Sequence, residues 1–347
     1  MARRLLWASL ALAPITILVD LVAHPGKVVL FVLAAVALIP LAWVIGEATE
    51  HAGEHTGPRI GGLLNASFGN APEVIIAIIA VADNLPDVVR GSMAGSVVSN
   101  ILLVMGAALV LGRDNAPLDR GSLLGQFGLV GAAILLFLIP SIPGWHGNPN
   151  RHSLALLTIG PAVALLILYG AVTARTLRQA RKYQGPAETT GWSLRASLVA
   201  LALATAATAI ISEILVHSLT AFADAANLSE FFIAVVVVAI VGNAAEHGGA
   251  VVIARRGKMM LATEIAASSS AQVGLLVIPV VALASFAFEH PLALAFRPIE
   301  LIGMAGSAAL VAFVVRDGRA HRRDGALLVS AYAAFALWCL LAGDRAG

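Results

Sequence analysis

Charge is what this 347-residue chain has least of. Asp, Glu, Lys and Arg together make up 12% of it, against about one-quarter in an ordinary soluble domain. With 59% hydrophobic residues, a soluble fold could not hide the apolar surface, so the composition predicts an all-α polytopic membrane protein. Cysteine is nearly missing as well: the single Cys339 excludes a disulfide framework within the chain and reads as a small packed apolar residue. Aromatics are only 6%, and no aromatic platform accompanies the scattered Lys and Arg, which speaks against nucleic acid as a partner. The net charge of +2 says little; the placement of charges says more.

Eleven apolar segments approach the roughly 20 residues that a spanning helix needs. They lie near 4–23, 28–48, 60–82, 90–111, 123–141, 153–174, 196–217, 230–254, 260–285, 298–315 and 324–342. The first, preceded by Arg3 and Arg4, has the look of a signal peptide, but Leu21-Val22-Ala23 lacks a small-x-small cleavage site, and an uncleaved helix is expected. With eleven spans, 17 of the 22 basic residues fall on the N-terminal side and 5 on the other. The positive-inside rule then places the N-terminus in the cytoplasm and the C-terminus outside a cell (inner) membrane.

The longest polar interval, 175–195, is basic through Arg175, Arg178, Arg181 and Lys182 and contains Gln184-Gly185-Pro186. It reads as a short interfacial helix plus linker. The chain thus divides into an N-terminal helix (1–27), a first set of helices 2–6 (28–174), a basic cytoplasmic linker (175–195) and a second set of helices 7–11 (196–347). An odd number of spans per set makes the second copy enter from the opposite side. That is an inverted 5+5 repeat, which places a substrate site near the midplane where the copies meet.

Three matches carry the repeat. Glu50 pairs with Glu213, each preceded by a hydroxyl residue, Thr49 and Ser212. Gly69-Asn70-Ala71-Pro72-Glu73 pairs with Gly242-Asn243-Ala244-Ala245-Glu246. Ser96-Val97-Val98-Ser99-Asn100 pairs with Ser268-Ser269-Ser270-Ala271-Gln272. An ionisable side chain in an apolar span is costly, so Glu73 and Glu246 mark a functional site by default. Asn70 and Glu73, three apart, share a helix face. Pro72 cannot bond the Phe68 carbonyl, and Gly69 loosens the same turn, so carbonyls of Phe68, Gly69 and Gly242 are freed as backbone ligands. In the second copy, where Ala245 replaces the proline, Gly242, Gly248 and Gly249 are expected to do that loosening.

The donor set is all oxygen, which suits a hard cation, and a flexible oxygen cage suits Ca²⁺ better than Mg²⁺. Two carboxylates neutralise one divalent cation, and two protons on them leave the site equally neutral. Metal and protons therefore compete for one pair of groups. Competition at one site is the minimal physics of an antiporter.

These residues resemble the calcium/proton exchanger branch of the calcium/cation antiporter superfamily. The doubled Gly-Asn-Ala-x-Glu carries the resemblance, with Thr49-Glu50, Gly61-Gly62-Leu63-Leu64-Asn65-Ala66 and Ser229-Glu230-Phe231-Phe232 as flanks. It covers essentially helices 2–11. The resemblance implies a transporter and not an enzyme, which exchanges Ca²⁺ for H⁺ by alternating access and needs no cofactor. It implies Glu73 and Glu246 as central cation and proton ligands, and roles nearby for Asn70, Asn243, Ser96, Asn100, Ser268 and Gln272. Glu50 and Glu213 would lie on the access path. Sodium-coupled branches usually carry Thr or Ser at the Asn positions, so Asn70 and Asn243 favour H⁺ as the coupling ion. Several relatives have an acidic helix between the halves, whereas Glu188 is the only acid of this linker. The family also admits a homo-oligomer.

Competing readings stand beside this one. A monovalent cation (Na⁺ or K⁺)/H⁺ antiporter or a Na⁺/Ca²⁺ exchanger would use the same scaffold. Glu73 and Glu246 could be structural, but no Lys or Arg is expected at membrane depth to pair with them. Asn70, Asn243, Ser96, Ser268, Asn100 and Gln272 could be interhelical glue, and Glu50 and Glu213 solvated helix ends. Gly61, Gly62, Gly248 and Gly249 most simply allow close helix packing. His217 and His247 read as pore-lining or packing residues, His247 being placed to tune Glu246. One remote alternative is a membrane zinc protease: His51-Ala52-Gly53-Glu54-His55 fits H-x-x-E-H. Beside Gly53, Gly57 and Pro58 a stable helical turn is not expected there, and the motif leaves the repeat unexplained.

Overall fold

A computed structural model describes residues 2–180 and 191–344. Arg181, Lys182, Gln184, Gly185, Pro186 and Glu188 of the expected linker lie outside the described residues. The chain is almost entirely helical. It begins with α1 (Ala2–Ser9) and α2 (Leu12–Leu18), the latter prolonged by a wide turn over Val19–Ala23. The long α3 (Lys27–Phe68) is followed by α4 (Ala71–Ala82) and α5 (Pro86–Val98), which passes through a wide-turn stretch, Ser99–Val104, into α6 (Met105–Leu111). Then come α7 (Arg120–Gly144), α8 (His152–Ala180) and α9 (Leu194–Ala226). The next span is assembled from α10 (Glu230–Phe232), a wide-turn stretch Ile233–Val238, α11 (Ala239–Gly242) and α12 (Ala244–Arg255). The chain finishes with α13 (Met259–Gln272), α14 (Ile278–Ala284), α15 (Pro298–Val314) and α16 (Arg322–Ala342). Two-residue strands at Ala116–Pro117 and Arg319–Ala320 tie two loops together.

Local chemistry sets these boundaries. Asp119 accepts from the Ser122 amide at 3.0 Å, and Ser193 from that of Ala196 at 3.2 Å, capping α7 and α9. Prolines open α5 and α15 where an amide would have no partner anyway. Asn227 closes α9 in the left-handed region (φ 56°).

Among the described residues, nine helices are long and apolar enough to cross a membrane, and ten if the pair Glu230–Gly242 and Ala244–Arg255, bent by 59°, is one span. The protein is therefore a multi-pass helical membrane protein. The expected helix over 60–82 is not continuous. A kink at Gly57 (φ 76°) precedes it, and it breaks after Phe68, leaving Ala71–Ala82 as a separate twelve-residue apolar helix. Gly57 is in the left-handed region that favours glycine, and the chain folds back so closely that a Cβ on Gly61 would meet Gly53. The expected interfacial helix at 175 does not stand alone: α8 carries Arg175 and Arg178 as its last turns.

Helices α3 and α9 lie against one another, and α5 packs on the Ile233–Val238 stretch. There Gly95 is needed for the approach, since a Cβ would run into the Val235 carbonyl. Contrary to expectation, one arginine is buried within the bundle. Arg90, on the first turns of α5, is fully enclosed and bonds Asp87 (2.6 Å), the Ala293 carbonyl (2.9 Å) and Asn150 (2.9 Å). It pins two loops at the end of the bundle and does not touch the acidic pair. Cys339 is buried, as its chemistry suggests.

Candidate cation site

The two Gly-Asn-Ala-x-Glu copies adopt one local conformation. Asn70 (φ −103°, ψ 21°) and Asn243 (φ −93°, ψ 11°) each break a helix and precede a twelve-residue one. Glu73 and Glu246 thus occupy the third position of α4 and α12, in the first turn, where unpaired amides and the helix dipole favour negative charge. The break falls at the Gly-Asn common to both copies and does not depend on proline: Pro72 sits harmlessly in the first turn of α4, and the second copy breaks at the same place without one. Gly248 and Gly249 do no loosening, for both lie within regular α12, and a Cβ on either would meet nothing, so neither allows close packing. Gly242 lies against Glu73: a Cβ there would be in ordinary contact with the Glu73 Cγ at 3.4 Å, so the break of one half rests on the acid of the other.

A buried polar network joins the halves. Asn243 Nδ2 donates to Ser96 Oγ (2.8 Å) and to the Ala239 carbonyl (2.9 Å). Asn100 Nδ2 donates to Asn243 Oδ1 (3.0 Å) and Ser269 Oγ (2.9 Å). Ser269 in turn donates to Glu246 Oε2, and Asn70 Nδ2 donates to Gln272 Oε1 (2.9 Å). Asn70, Asn243, Asn100, Ser96 and Ser269 are all buried. Three oxygens at this centre receive no hydrogen bond: Asn70 Oδ1, Glu73 Oε2 and Asn100 Oδ1. Buried acceptors without donors are expensive, and a cation is what such a set of oxygens lacks.

The network differs from expectation in one residue. Ser268 bonds the Ile265 carbonyl (3.2 Å), and its neighbour Ser269 reaches Glu246 instead. The three-serine run 268–270 holds the signal, but the repeat alignment to Ser96 selects the wrong member. Val97 stands at the matching place of the first half, so the two acids are inequivalent: Glu246 is held by a hydroxyl, whereas one Glu73 oxygen has no donor.

Access is one-sided. A cavity of about 650 Å³ extends from Glu73, Glu246 and Gly242 past Pro72 and Gly249 to Glu47, Glu50, Gly53 and Gly57. It opens on the face of the bundle that carries the 255–258 turn. Beyond Glu73 the opposite way, between Ser92, Ser96 and Val277, there is a void of about 10 Å³, room for one water at most. Glu50 lies on the wall of the large cavity. Glu213 does not: it is exposed on α9, one turn before His217, which reaches Asp83 at 3.1 Å. Glu47 escapes sequence reasoning, although Glu47-x-x-x-His51 repeats the spacing of Glu213-x-x-x-His217. The carbonyls of Phe68, Gly69 and Gly242 lie at the two breaks. His247 follows Glu246 with its Nε2 buried and unpaired.

The H-x-x-E-H stretch is helical after all, yet its ligand atoms are used elsewhere. His51 Nδ1 meets Glu54 (3.2 Å) and His55 Nε2 meets the Trp192 carbonyl (2.7 Å). Among the described residues no group of three or more His, Cys, Asp or Glu could hold a resident metal ion.

The sodium/calcium exchanger protein family matches residues 26–177 and 196–341 of this chain. A Ca²⁺/H⁺ antiporter of Bacillus subtilis (strain 168) is 35% identical over 347 aligned residues, which cover 93% of this chain and 95% of that protein. A Ca²⁺/H⁺ antiporter of Aphanothece halophytica is 31% identical, covering 89% of each. The solved structure of native YfkE superposes with a TM-score of 0.84 at 34% identity, covering 97% of this chain and 99% of that one.

Proposed function

The chain belongs to the sodium/calcium exchanger protein family, and from that premise we propose that it exchanges Ca²⁺ for protons across the cell membrane by alternating access. One observation carries the reading. Two carboxylates, Glu73 and Glu246, begin broken half-helices at the foot of a cavity that is open to one side only. Unpaired oxygens of Asn70, Asn100 and Glu73 surround them. Ca²⁺ is bound as substrate by the two carboxylates, with amide oxygens and carbonyls freed at the breaks completing an oxygen shell. Protons replace it on the same carboxylates, so the loaded site is neutral in either case and crosses a low-dielectric barrier that the empty, doubly charged site does not.

The open cavity lies on the face with the excess of Arg and Lys, which the positive-inside rule assigns to the cytoplasm. The conformation is then inward-open, with the N-terminus inside. Glu47 and Glu50 on the wall attract cations toward the site. Helices 2–6 and 7–11 act as two inverted units that rock about the crossing of Gly242 on Glu73.

The test is proton flux in sealed proteoliposomes with an internal pH dye, after a pulse of external Ca²⁺. Proton release driven by Ca²⁺ is expected. A response to Na⁺ or K⁺ and none to Ca²⁺ would transfer the mechanism to a monovalent substrate, and silence toward every cation in correctly inserted protein would refute exchange.

A further inference from the structure

Ser268 and Gln272 leave a question that the cation site does not answer. They stand one turn apart on α13, both partly exposed, and neither bonds Glu246: Ser268 bonds the Ile265 carbonyl and Gln272 bonds Asn70. They line a second cavity of about 230 Å³ between α7, α8 and α13, whose other polar walls are Gln126, Tyr169, Thr173 and Thr176. It runs from the depth of Gln272 to the last turns of α8, the same face on which the large cavity opens. Polar side chains that line one crevice from the depth of Gln272 outward are costly in the buried part unless water fills it. Thr176 satisfies the Val172 carbonyl (3.1 Å) at the outer end. At the inner end Gln272 bonds Asn70, the residue that starts the half-helix carrying Glu73. The crevice is thus separated from Asn70 by one side chain, Gln272, on the Glu73 half, where one carboxylate oxygen lacks a donor.

We propose that this crevice is a water-filled side channel through which protons, and not Ca²⁺, pass between the cytoplasm and the cation site. The inference rests on the exchange reading above and deepens it. Its selectivity follows from its chemistry. The described lining has no carboxylate, so a divalent cation would shed water in a narrow, low-dielectric space with nothing to compensate it. A proton moves along hydrogen-bonded water and needs no dehydration. The wide cavity with Glu47 and Glu50 on its wall has the opposite character. Two routes let a proton leave the Glu73 side while Ca²⁺ approaches through the other.

The test uses Thr173→Cys in the full-length protein, whose only other cysteine, Cys339, is buried. Proteoliposomes are assayed before and after a charged methanethiosulfonate is added to the cytoplasmic face. Two fluxes are read: Ca²⁺-driven proton movement, and tracer Ca²⁺/Ca²⁺ exchange, which needs no protons. Modification is expected to slow the proton-coupled flux about tenfold while tracer exchange stays within about twofold. Because the same folded sample is read twice, misfolding cannot mimic this. Equal loss of both fluxes, no loss after complete labelling, or no reaction of the introduced thiol would each overturn the side channel. Tracer exchange without any proton flux before labelling would instead refute the Ca²⁺/H⁺ reading itself. Should the unlabelled variant be inactive, Gln126→Cys on the opposite wall takes its place with the same readouts.

Discussion

Replacing Glu73 by Gln removes one of two charges at the cation site with almost no change of shape. At an effective dielectric of 20, unit charges 4 Å apart attract by ~4 kcal/mol, and a divalent ion doubles that to ~8. The amide oxygen still offers a ligand, and nearby water and Asn dipoles recover part of the loss. A net cost of ~4 kcal/mol is a conservative figure and raises the Ca²⁺ dissociation constant about a thousandfold. The proton side fails as well, because an amide does not titrate. The fold should survive, since one Glu73 oxygen has no donor in the structure and the glutamine fills the same space. Glu246→Gln should fail in the same way, with Ser269 still able to donate to the amide oxygen. The assay is Ca²⁺-pulsed proton flux beside Ca²⁺ binding isotherms, on protein whose detergent elution profile and melting curve match the parent. Exchange in Glu73→Gln above about one-tenth of the parent rate would refute its placement as a central ligand.

Further predictions follow from the same geometry. Ca²⁺ affinity should fall as pH falls, because protons and metal share the carboxylates. The dissociation constant should rise about tenfold per pH unit for one displaced proton and about a hundredfold for two, read from isotherms across pH. Asn243→Ala removes the one partner of Ser96 Oγ and one of the two acceptors of Asn100 Nδ2, which keeps Ser269 Oγ, at the joint between the halves. A loss of ~1–3 kcal/mol is expected in the unfolding free energy for the one stranded buried group; a melting point unchanged from the parent would count against the network. Gly95→Ala drives a methyl into the Val235 carbonyl and should cost ~1–3 kcal/mol, whereas Gly248→Ala, which meets nothing, should be neutral by the same measurement. His51→Ala with His55→Ala should leave Ca²⁺ exchange in place and elemental analysis free of stoichiometric zinc; loss of a bound zinc ion in the double variant would revive the hydrolase.

Much of the site was legible because the membrane makes polar residues conspicuous. Against long apolar runs, Asn70, Glu73, Asn243 and Glu246 have few structural excuses, and their repetition at one spacing shows that two copies share a task. The same economy misled where several polar residues stood together. Within Ser268-Ser269-Ser270, spacing gives the helix face only to within one residue, and 100° of rotation separates a group on Glu246 from one on the side crevice. Glu50 lies on the cavity wall and Glu213 is exposed on α9, a difference between matched positions that spacing along the chain cannot express.

The sequence by itself determined the membrane habitat, the helical class, the doubled acid–amide motif and the asymmetry of basic residues between the faces, since each depends on composition or on short-range spacing. Tertiary structure alone decided that the breaks do not depend on Pro72, and that Gly242 rests on Glu73. It alone decided that Asn100, Ser96 and Ser269 meet Asn243 and Glu246 across the joint, that Arg90 is buried, and that Gln272 bonds Asn70 from a second crevice. Those facts depend on which faces of distant helices are pressed together, and helix rotation at a long-range contact is fixed by the whole packed bundle and not by any segment of it.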